Sequence, residues 1–260
     1  MTKVVKIGGN VVDNPVLLKQ FVEDFAKLPG RKILVHGGGV MASQLQKSLG
    51  MVPVMVQGRR VTDEDALKIV TMVYAGWCNK NITALLQAAG CNAIGLSGAD
   101  GNSVTASKRA PVEIDGKVVD YGFVGDVKAE SVNAGFLNSL LDEGIVPVLC
   151  AINHDGHGNL LNTNADTIAS SVAIAMGEGT ELIYCFEKNG VLRDKDDDSS
   201  VIRHINPAEF DSLKKAGIIA DGMIPKLDNS FKAIESGVKS VTIKHAKNLL
   251  DDTGTTLEQI

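Results

Sequence analysis

Residues 32–50 read KILVHGGGVMASQLQKSLG and combine an apolar run, three glycines and a segment with helical periodicity. The run at 33–35 predicts a buried strand, and residues 41–49 predict an amphipathic helix. Backbone N–H groups of a glycine turn, together with a helix N-terminus, bind anions such as phosphate. However, these glycines have neither the GK[ST] nor the GxGxxG spacing of the common nucleotide-binding loops. The sequence therefore favours an anion-binding loop over a simple turn, and which residues would supply its positive charge stays open at this point.

The strand–helix pattern continues on both sides of this stretch. Short apolar, β-branched runs predict strands at residues 4–7, 32–35, 93–96, 145–149, 182–185 and 240–243. Helical periodicity predicts helices at residues 15–28, 41–49, 63–89, 133–143, 165–176, 207–216 and 225–236, with Thr62 and Asn164 as N-caps. This alternation predicts an α/β fold, a three-layer αβα sandwich with a mostly parallel central sheet. Two β-hairpins, within residues 104–130 and 153–163, are expected over the active site.

Composition and charge exclude several classes of protein. The chain has 260 residues, 44% of them apolar, and a net charge of −5, which argues against a nucleic-acid-binding surface. No apolar run approaches the ~18 residues of a membrane span, and the N-terminal MTKVVKIGGN lacks signal-peptide features. Four widely spaced cysteines indicate free thiols in a reducing compartment, so we expect a cytoplasmic protein. No resident metal is expected, because the acidic residues 194–198 lack the glycine and glutamate of a calcium loop.

Four further motifs carry residues suited to anion chemistry. KIGGN (6–10) places Lys6 at the end of the first predicted strand, where ligands bind in open α/β sheets. GRRVT (58–62) offers an arginine for a carboxylate, and LLNTNAD (160–166) places polar side chains at the start of a helix. DGMIPK (221–226) puts a lysine into a first helical turn, which requires an anionic neighbour. Taken alone, each motif is also compatible with an ordinary turn, cap or surface charge.

In this order KIGGN, VHGGG, GRRVT, LLNTNAD and DGMIPK, followed by GVKSVTI and GTTL, resemble the motifs of the amino-acid kinase family over essentially the whole chain. The RVT and NxNAD combination most resembles the acylglutamate branch. The resemblance implies transfer of the γ-phosphoryl group of ATP, with Mg²⁺ bound through the ATP phosphates, to the side-chain carboxylate of an N-acylated glutamate in arginine biosynthesis. Acetyl is the expected acyl group, and a larger group such as succinyl stays open.

The resemblance also implies a role for individual residues. Lys6 and Lys226 match the lysines that stabilise the transferring phosphoryl group, and Asp166 matches the aspartate that orients both. Substrate contacts are implied for Gly9, Gly38, Gly39, Arg60 and Asn162. Nucleotide contacts are implied for Glu187, Asn189, Gly190, Leu192, Ile218, Ala220, Gly222 and Met223. Because the nucleophile is already a carboxylate, the reaction requires alignment and charge neutralisation rather than a general base.

The sequence departs from the family pattern in two places. The nucleotide segment usually has Ser/Thr-Asp-Val before its glycine, whereas Phe186-Glu187-Lys188-Asn189 stand there in this chain. The chain also begins directly at the first strand, without the N-terminal helix of arginine-inhibited hexamers, so an arginine-insensitive homodimer is expected. Residues 1–170 are expected to form an acyl-amino-acid-binding lobe and residues 171–260 an ATP-binding lobe of one continuous sheet.

Three alternative functions remain open from the sequence. Another family member would phosphorylate carbamate, aspartate, glutamate or a nucleotide monophosphate, and GRRVT with NTNAD weighs against it. A non-catalytic nucleotide or amino-acid sensor would not need both lysines and Asp166. A nicotinamide-dependent dehydrogenase would require a glycine fingerprint that the chain lacks.

Overall fold

The computed structural model describes residues 1–219 and 223–259, apart from the side chain of Pro225. Its strands are β1 (Thr2–Ile7), β2 (Arg31–His36), β3 (Met55–Val56), β4 (Arg59–Arg60), β5 (Ala93–Leu96), β6 (Ser107–Lys108), β7 (Val112–Ile114), β8 (Lys117–Val119), β9 (Gly125–Asp126), β10 (Val146–Cys150), β11 (Ile152–His154), β12 (Leu160–Asn162), β13 (Glu181–Phe186), β14 (His204–Ile205), β15 (Ser240–His245) and β16 (Thr255–Leu257). Its α-helices are α1 (Gly9–Val12), α2 (Pro15–Lys27), α3 (Gly39–Ser48), α4 (Glu64–Thr71), α5 (Asn79–Ala88), α6 (Ala134–Asp142), α7 (Ala165–Ala175), α8 (Pro207–Lys215) and α9 (Met223–Glu235). A π-helix, Met72–Cys78, joins α4 to α5.

Within these residues, eight strands form the central sheet in the order β14-β16-β15-β13-β1-β2-β10-β5. Every neighbouring pair is parallel except β15 and β16. Successive side chains of a strand point to opposite faces, and Val4 and Val5 of the central strand β1 are both 0% exposed. Helices therefore cover both faces of the sheet, with α7 packed on α9 and α2 packed on α5. The predicted three-layer αβα sandwich is confirmed.

The register of the central strands brings three loops to one edge of the sheet. Ile7 of β1 lies beside His36 of β2 and Cys185 of β13. The segments that follow these strands begin with Gly8, Gly37 and Glu187, and they leave the sheet side by side. Parallel strands present their carboxyl ends together, which is where open α/β sheets bind ligands. The fold thus places KIGGN next to VHGGG although about 30 residues separate the two motifs.

The elements differ from their predicted bounds in informative ways. Helix α3 begins at Gly39, two residues before the predicted start, so the glycines reach into its first turn. The prediction that Thr62 caps α4 is wrong, because the Asp63 side chain accepts the Ala66 N–H at 2.8 Å. Both predicted hairpins are confirmed, as β7–β8 and β11–β12. The β3–β4 hairpin and the short strands β14 and β16 were not predicted. In the described ranges, no helix has the length and apolarity to cross a membrane.

Candidate functional site

Three charged side chains from distant parts of the chain converge at the carboxyl edge of the sheet. Lys6 Nζ lies 2.6 Å from Asp166 Oδ1, and Lys226 Nζ lies 3.9 Å from Asp166 Oδ2. Lys6 is the penultimate residue of β1, whereas Asp166 and Lys226 lie in the first turns of α7 and α9. The Asn164 side chain caps α7 by accepting the Thr167 N–H at 3.0 Å, which fixes the helix start and places Asp166 at its positive end.

The electrostatics of this cluster favour an anionic ligand. Burial acts to raise the pKa of Asp166, but the ammonium groups of Lys6 and Lys226 outweigh it and lower the pKa overall. Burial lowers the pKa of Lys226 to about 8; Asp166 opposes this shift and Lys6 adds to it. Lys6 and Lys226 both pair with the Asp166 carboxylate. Arg60 and Glu187 line the same site, so three cationic side chains face two carboxylates, which leaves positive charge available for a bound anion.

These side chains line a cavity of about 520 Å³, which we call the lysine cavity. Its wall also contains Gly9 and the glycine loop, defined as Gly37, Gly38 and Gly39. A Cβ atom on Gly9 would lie only 3.8 Å from the Gly39 nitrogen, so the two glycine motifs are in direct backbone proximity. At the far side, the Asn10 amide donates a hydrogen bond to the Glu187 carboxylate and joins the turn after β1 to the end of β13.

A second cavity of about 180 Å³, the arginine cavity, lies on the other side of the glycine loop. Arg60, Tyr74, Asn162 and Asn164 contribute to its wall. The glycine loop and Arg60 line both cavities, so the two spaces meet there. A ligand in the arginine cavity and a second ligand in the lysine cavity would therefore approach each other over backbone N–H groups.

Arg60 is a buried cation, 6% exposed, that is fixed against the start of α3. Its guanidinium donates to the Gly39 carbonyl oxygen at 3.0 Å, to Ser43 Oγ at 2.6 Å and to the Gln46 side-chain oxygen. In the described part of the chain, no carboxylate lies within ion-pair distance of it. A buried arginine without a counter-ion is costly, which favours a carboxylate ligand at this position.

Asn162 is connected to the arginine through a buried threonine. The Asn162 amide donates to Thr62 Oγ1 at 3.0 Å, and the Thr62 hydroxyl donates to the Arg60 carbonyl oxygen at 3.1 Å. Thr62, predicted as a helix cap, instead links the GRRVT motif to the LLNTNAD motif. This connection explains why the two motifs contribute to one wall of the arginine cavity.

The π-helix packs closely against the glycine loop. A Cβ atom on Gly38 would lie 2.8 Å from Tyr74 Cδ1 and 3.1 Å from Cys78 Sγ, so only glycine fits there. Nearby, buried His36 donates from Nδ1 to the Gly37 carbonyl oxygen at 2.7 Å and accepts the Asn79 amide at Nε2. Burial lowers the pKa of His36 to about 4, so the imidazole is neutral near pH 7 and supports the loop without adding charge.

We expect Gly38→Ala to reduce turnover strongly, because the added methyl group must displace Tyr74 or move the loop out of both cavities. Overpacking of this kind costs roughly 1–3 kcal/mol. Gly135→Ala is the control, since Gly135 on α6 lines neither cavity and its Cβ would meet only the Asn133 Oδ1 atom at an ordinary 3.6 Å. Steady-state kinetics and thermal unfolding of both variants test this. Equal activity of the two variants would show that the close contact at Gly38 is unimportant.

Of the residues predicted to contact the nucleotide, only Glu187 is described in the wall of the lysine cavity, and the other described ones lie outside that wall. Asn189 donates to the Asp198 carbonyl oxygen at 3.1 Å, and Gly190 is buried beside Thr255. Leu192 is partly buried and bridges to Val201, whereas Ile218 and Met223 pack against the core. Ala220 and Gly222 lie outside the described residues.

Tyr74 and Phe186 are two of the cavity-wall residues that were not identified as functional from the sequence. Tyr74 reaches the arginine cavity only because the π-helix turns it toward the glycine loop. The Phe186 ring lies in the lysine cavity against both ammonium groups. Its departure from the family pattern was the one available signal for this position.

Comparisons with known proteins identify the family to which the chain belongs. The family model described as amino acid kinase family matches residues 1–245. The acetylglutamate kinase of Cytophaga hutchinsonii is 54% identical over 250 residues, covering 95% of this chain and 92% of the relative. That of Phocaeicola vulgatus is 53% identical and covers 98% of both chains. A solved protein of Streptococcus mutans UA159 superposes with a TM-score of 0.78 at 28% identity, covering 100% of this chain and 99% of the other. The chain therefore belongs to the amino acid kinase family.

Proposed function

We propose that the chain transfers the γ-phosphoryl group of ATP to the side-chain carboxylate of N-acetyl-L-glutamate, giving N-acetylglutamyl 5-phosphate and ADP in arginine biosynthesis. Relatives named acetylglutamate kinase, each more than half identical over nearly the whole chain, support this assignment. Their names favour acetyl over a larger acyl group. The structural observation that carries the proposal is the pairing of Lys6 and Lys226 with Asp166 beside a second cavity that contains Arg60.

In the proposed mechanism each cavity holds one substrate. Arg60 and Asn162 bind the α-carboxylate and acyl-amino part of the acceptor, and this orients its side-chain carboxylate toward the glycine loop. Lys6 and Lys226 neutralise charge on the transferring phosphoryl group, with Asp166 holding both ammonium groups in place. Backbone N–H groups of Gly9, Gly38 and Gly39 complete the electrostatic environment. No side chain has to remove a proton, because the acceptor oxygen is already ionised.

ATP is the phosphoryl donor that kinase membership implies, and we propose that Mg²⁺ enters with it. Among the described residues, no group of three acidic, histidine or cysteine side chains is placed to hold a metal ion. The donors in the lysine cavity are mainly cations and N–H groups, which suit phosphate oxygens. Mg²⁺ bound to those oxygens would supply further charge neutralisation. Glu187 and the segments at 187–192 and 218–223 are proposed to bind the nucleotide.

One assay tests the proposed function directly. Coupled ADP release is measured with N-acetylglutamate, N-succinylglutamate, glutamate and aspartate at matched concentrations. The highest kcat/KM is expected with N-acetylglutamate. A preference for the succinyl compound would identify a different acyl specificity on the same chemistry, and ADP release with none of the four would contradict the proposal.

We expect kcat/KM for ATP to fall as the pH rises above about 8. Lys226 acts in its charged form, and burial lowers its pKa to about 8. The ammonium form therefore prevails below that pH and is lost above it. Bound phosphates stabilise the charged form, so the corresponding limb in kcat should lie at higher pH. A Lys226→Arg variant, which stays charged, should lose the alkaline limb; an unchanged limb would assign it to another group.

The assembly and compartment are also proposals. An apolar groove between α3 and the π-helix contains Met41, Leu45, Met72 and Trp77, and the last two are 56% and 62% exposed. Exposed apolar patches of this kind mark protein interfaces, so we propose that two chains form a homodimer there. All four cysteines are free and buried, which fits a reducing cytoplasm. The lobes at 1–170 and 171–260 are proposed to bind acceptor and ATP respectively.

We expect Trp77→Glu to convert a dimer into a monomer, because a carboxylate in an apolar interface is strongly unfavourable. Light scattering after gel filtration should give about twice 27.5 kDa for the unmodified chain and about 27.5 kDa for the variant. Val16→Glu, at a position 80% exposed on α2, is the matched control and should leave the mass unchanged. A mass near one or six chains for the unmodified protein would contradict the homodimer.

A further inference from the structure

Phe186 ends β13, and its ring lies against the two lysines of the cavity. Lys226 Nζ is 3.3 Å from the ring centroid, and Lys6 Nζ is 4.9 Å from it. The ring is fixed by its own neighbours: it stacks on Tyr184 at 6.2 Å, and a Cβ atom on Gly8 would lie 3.2 Å from its Cδ1 atom. The aromatic face is therefore a defined surface for the ammonium groups.

The ring compensates for an incomplete ion pair. Asp166 is engaged with Lys6 at 2.6 Å, whereas its nearest approach to Lys226 is 3.9 Å, beyond hydrogen-bonding distance. The charged groups that face Lys226 are Lys6 from β1, Asp166 from α7 and Glu187 after β13. Its closest described stabilising contact is thus the electron-rich face of Phe186.

We propose that Phe186 is a positioning residue that holds the Lys226 ammonium group on its ring face and directs the remaining N–H donors into the lysine cavity. A ligand-free lysine side chain has several rotamers, and an ammonium group fixed in advance loses less freedom when the phosphoryl group arrives. The contact with the ring follows from the geometry alone. Its part in phosphoryl transfer rests on the proposed function.

The test compares Phe186→Leu with Phe186→Tyr. Leucine keeps an apolar side chain but lacks the aromatic face, so kcat should fall roughly 2- to 30-fold, the range expected for a cation–π contact. Tyrosine retains the face and should restore kcat to near the unmodified value. Phe231→Leu, on the same helix as Lys226 but packed against Phe210, is the matched control and should leave kcat nearly unchanged.

A second readout does not depend on turnover. Acylation of Lys226 by brief pulses of acetic anhydride, measured by peptide mass spectrometry across pH, reports the loss of its proton. Without the ring face the charged form is less stable, so the midpoint in Phe186→Leu should move to lower pH by roughly 0.4 to 1.5 units. The midpoints of Phe186→Tyr and Phe231→Leu should stay at that of the unmodified protein.

The outcomes separate the alternatives. A higher KM for ATP in Phe186→Leu, with kcat and the labelling midpoint unchanged, would make Phe186 a nucleotide contact and overturn the proposal. An equal midpoint shift in Phe231→Leu would also overturn it, because the effect would then be a general one of packing. Failure of the unmodified chain to release ADP would instead contradict the proposed function, while the labelling midpoints would still decide the lysine–ring contact.

Discussion

Alanine at Lys226 or at Lys6 is expected to lower kcat by roughly 10²- to 10⁵-fold, the range for removing a preorganised charge from a phosphoryl-transfer transition state. Each ammonium group faces the lysine cavity, and they share a single carboxylate. In either variant, the negative charge on the transferring phosphoryl group would be stabilised by one lysine instead of two. KM for the acceptor should change much less, because Asn162 lies in the arginine cavity and Arg60, where the two cavities meet, is proposed to bind the acceptor.

The control for this loss is Lys239→Ala, which removes an ion pair with Glu181 at the opposite end of the sheet. It should leave kcat unchanged. Thermal unfolding of all three variants separates chemistry from stability, since Asp166 without Lys6 keeps, among the described side chains, only the more distant Lys226 as an ion-pair partner. Turnover close to that of the unmodified protein in either cavity variant would remove that lysine from the mechanism.

The fold was predictable because its signals are local. Runs such as residues 33–35 are apolar on both faces, as buried parallel strands must be, and Gly90 and Gly144, at φ 75° and 72°, follow the ends of their helices in the left-handed conformation typical of a C-terminal glycine. The convergence of Lys6 with Lys226 is not a local property, because it depends on the strand order and on the start of α9. Spacing alone indicated two isolated lysines. Only the resemblance of the ordered motifs to the amino-acid kinase family predicted that the two lysines act together.

The unpredicted features arise from packing between distant segments. The β3–β4 hairpin turns through Gln57 and Gly58, at φ 47° and 73°. Glutamine seldom adopts this left-handed conformation, so Gln57-Gly58 does not match the usual Asn-Gly or Asp-Gly signature of such a turn. Tyr74 enters the site because a π-helix interrupts a continuous helical pattern, and helical periodicity does not show the interruption. Phe186 reaches the wall of the lysine cavity because β13 lies between β15 and β1 in the sheet. Predicting any of these features requires knowing which distant segments pack against the residue in the folded chain.

Alanine at Arg60 is expected to raise KM for N-acetylglutamate roughly 30- to 700-fold, which corresponds to about 2–4 kcal/mol for a desolvated charge pair. The buried guanidinium has no described carboxylate partner, so the acceptor's α-carboxylate would supply its counter-charge. Arg60→Lys should not restore binding, because one ammonium group cannot reproduce the planar contacts to Ser43 and Gln46 while also holding a carboxylate.

A structural role for Arg60 makes different predictions and can be separated from substrate binding. Gln46→Leu removes a neighbour of the guanidinium but keeps the charge, so KM for N-acetylglutamate should change far less than in Arg60→Ala. KM for ATP should stay nearly constant in both variants, because the ATP phosphates are expected at Lys6 and Lys226. If KM for ATP rose together with KM for the acceptor, Arg60 would be acting through the position of α3 and the glycine loop, which border both cavities. Only a selective effect on the acceptor is consistent with a carboxylate bound to the guanidinium.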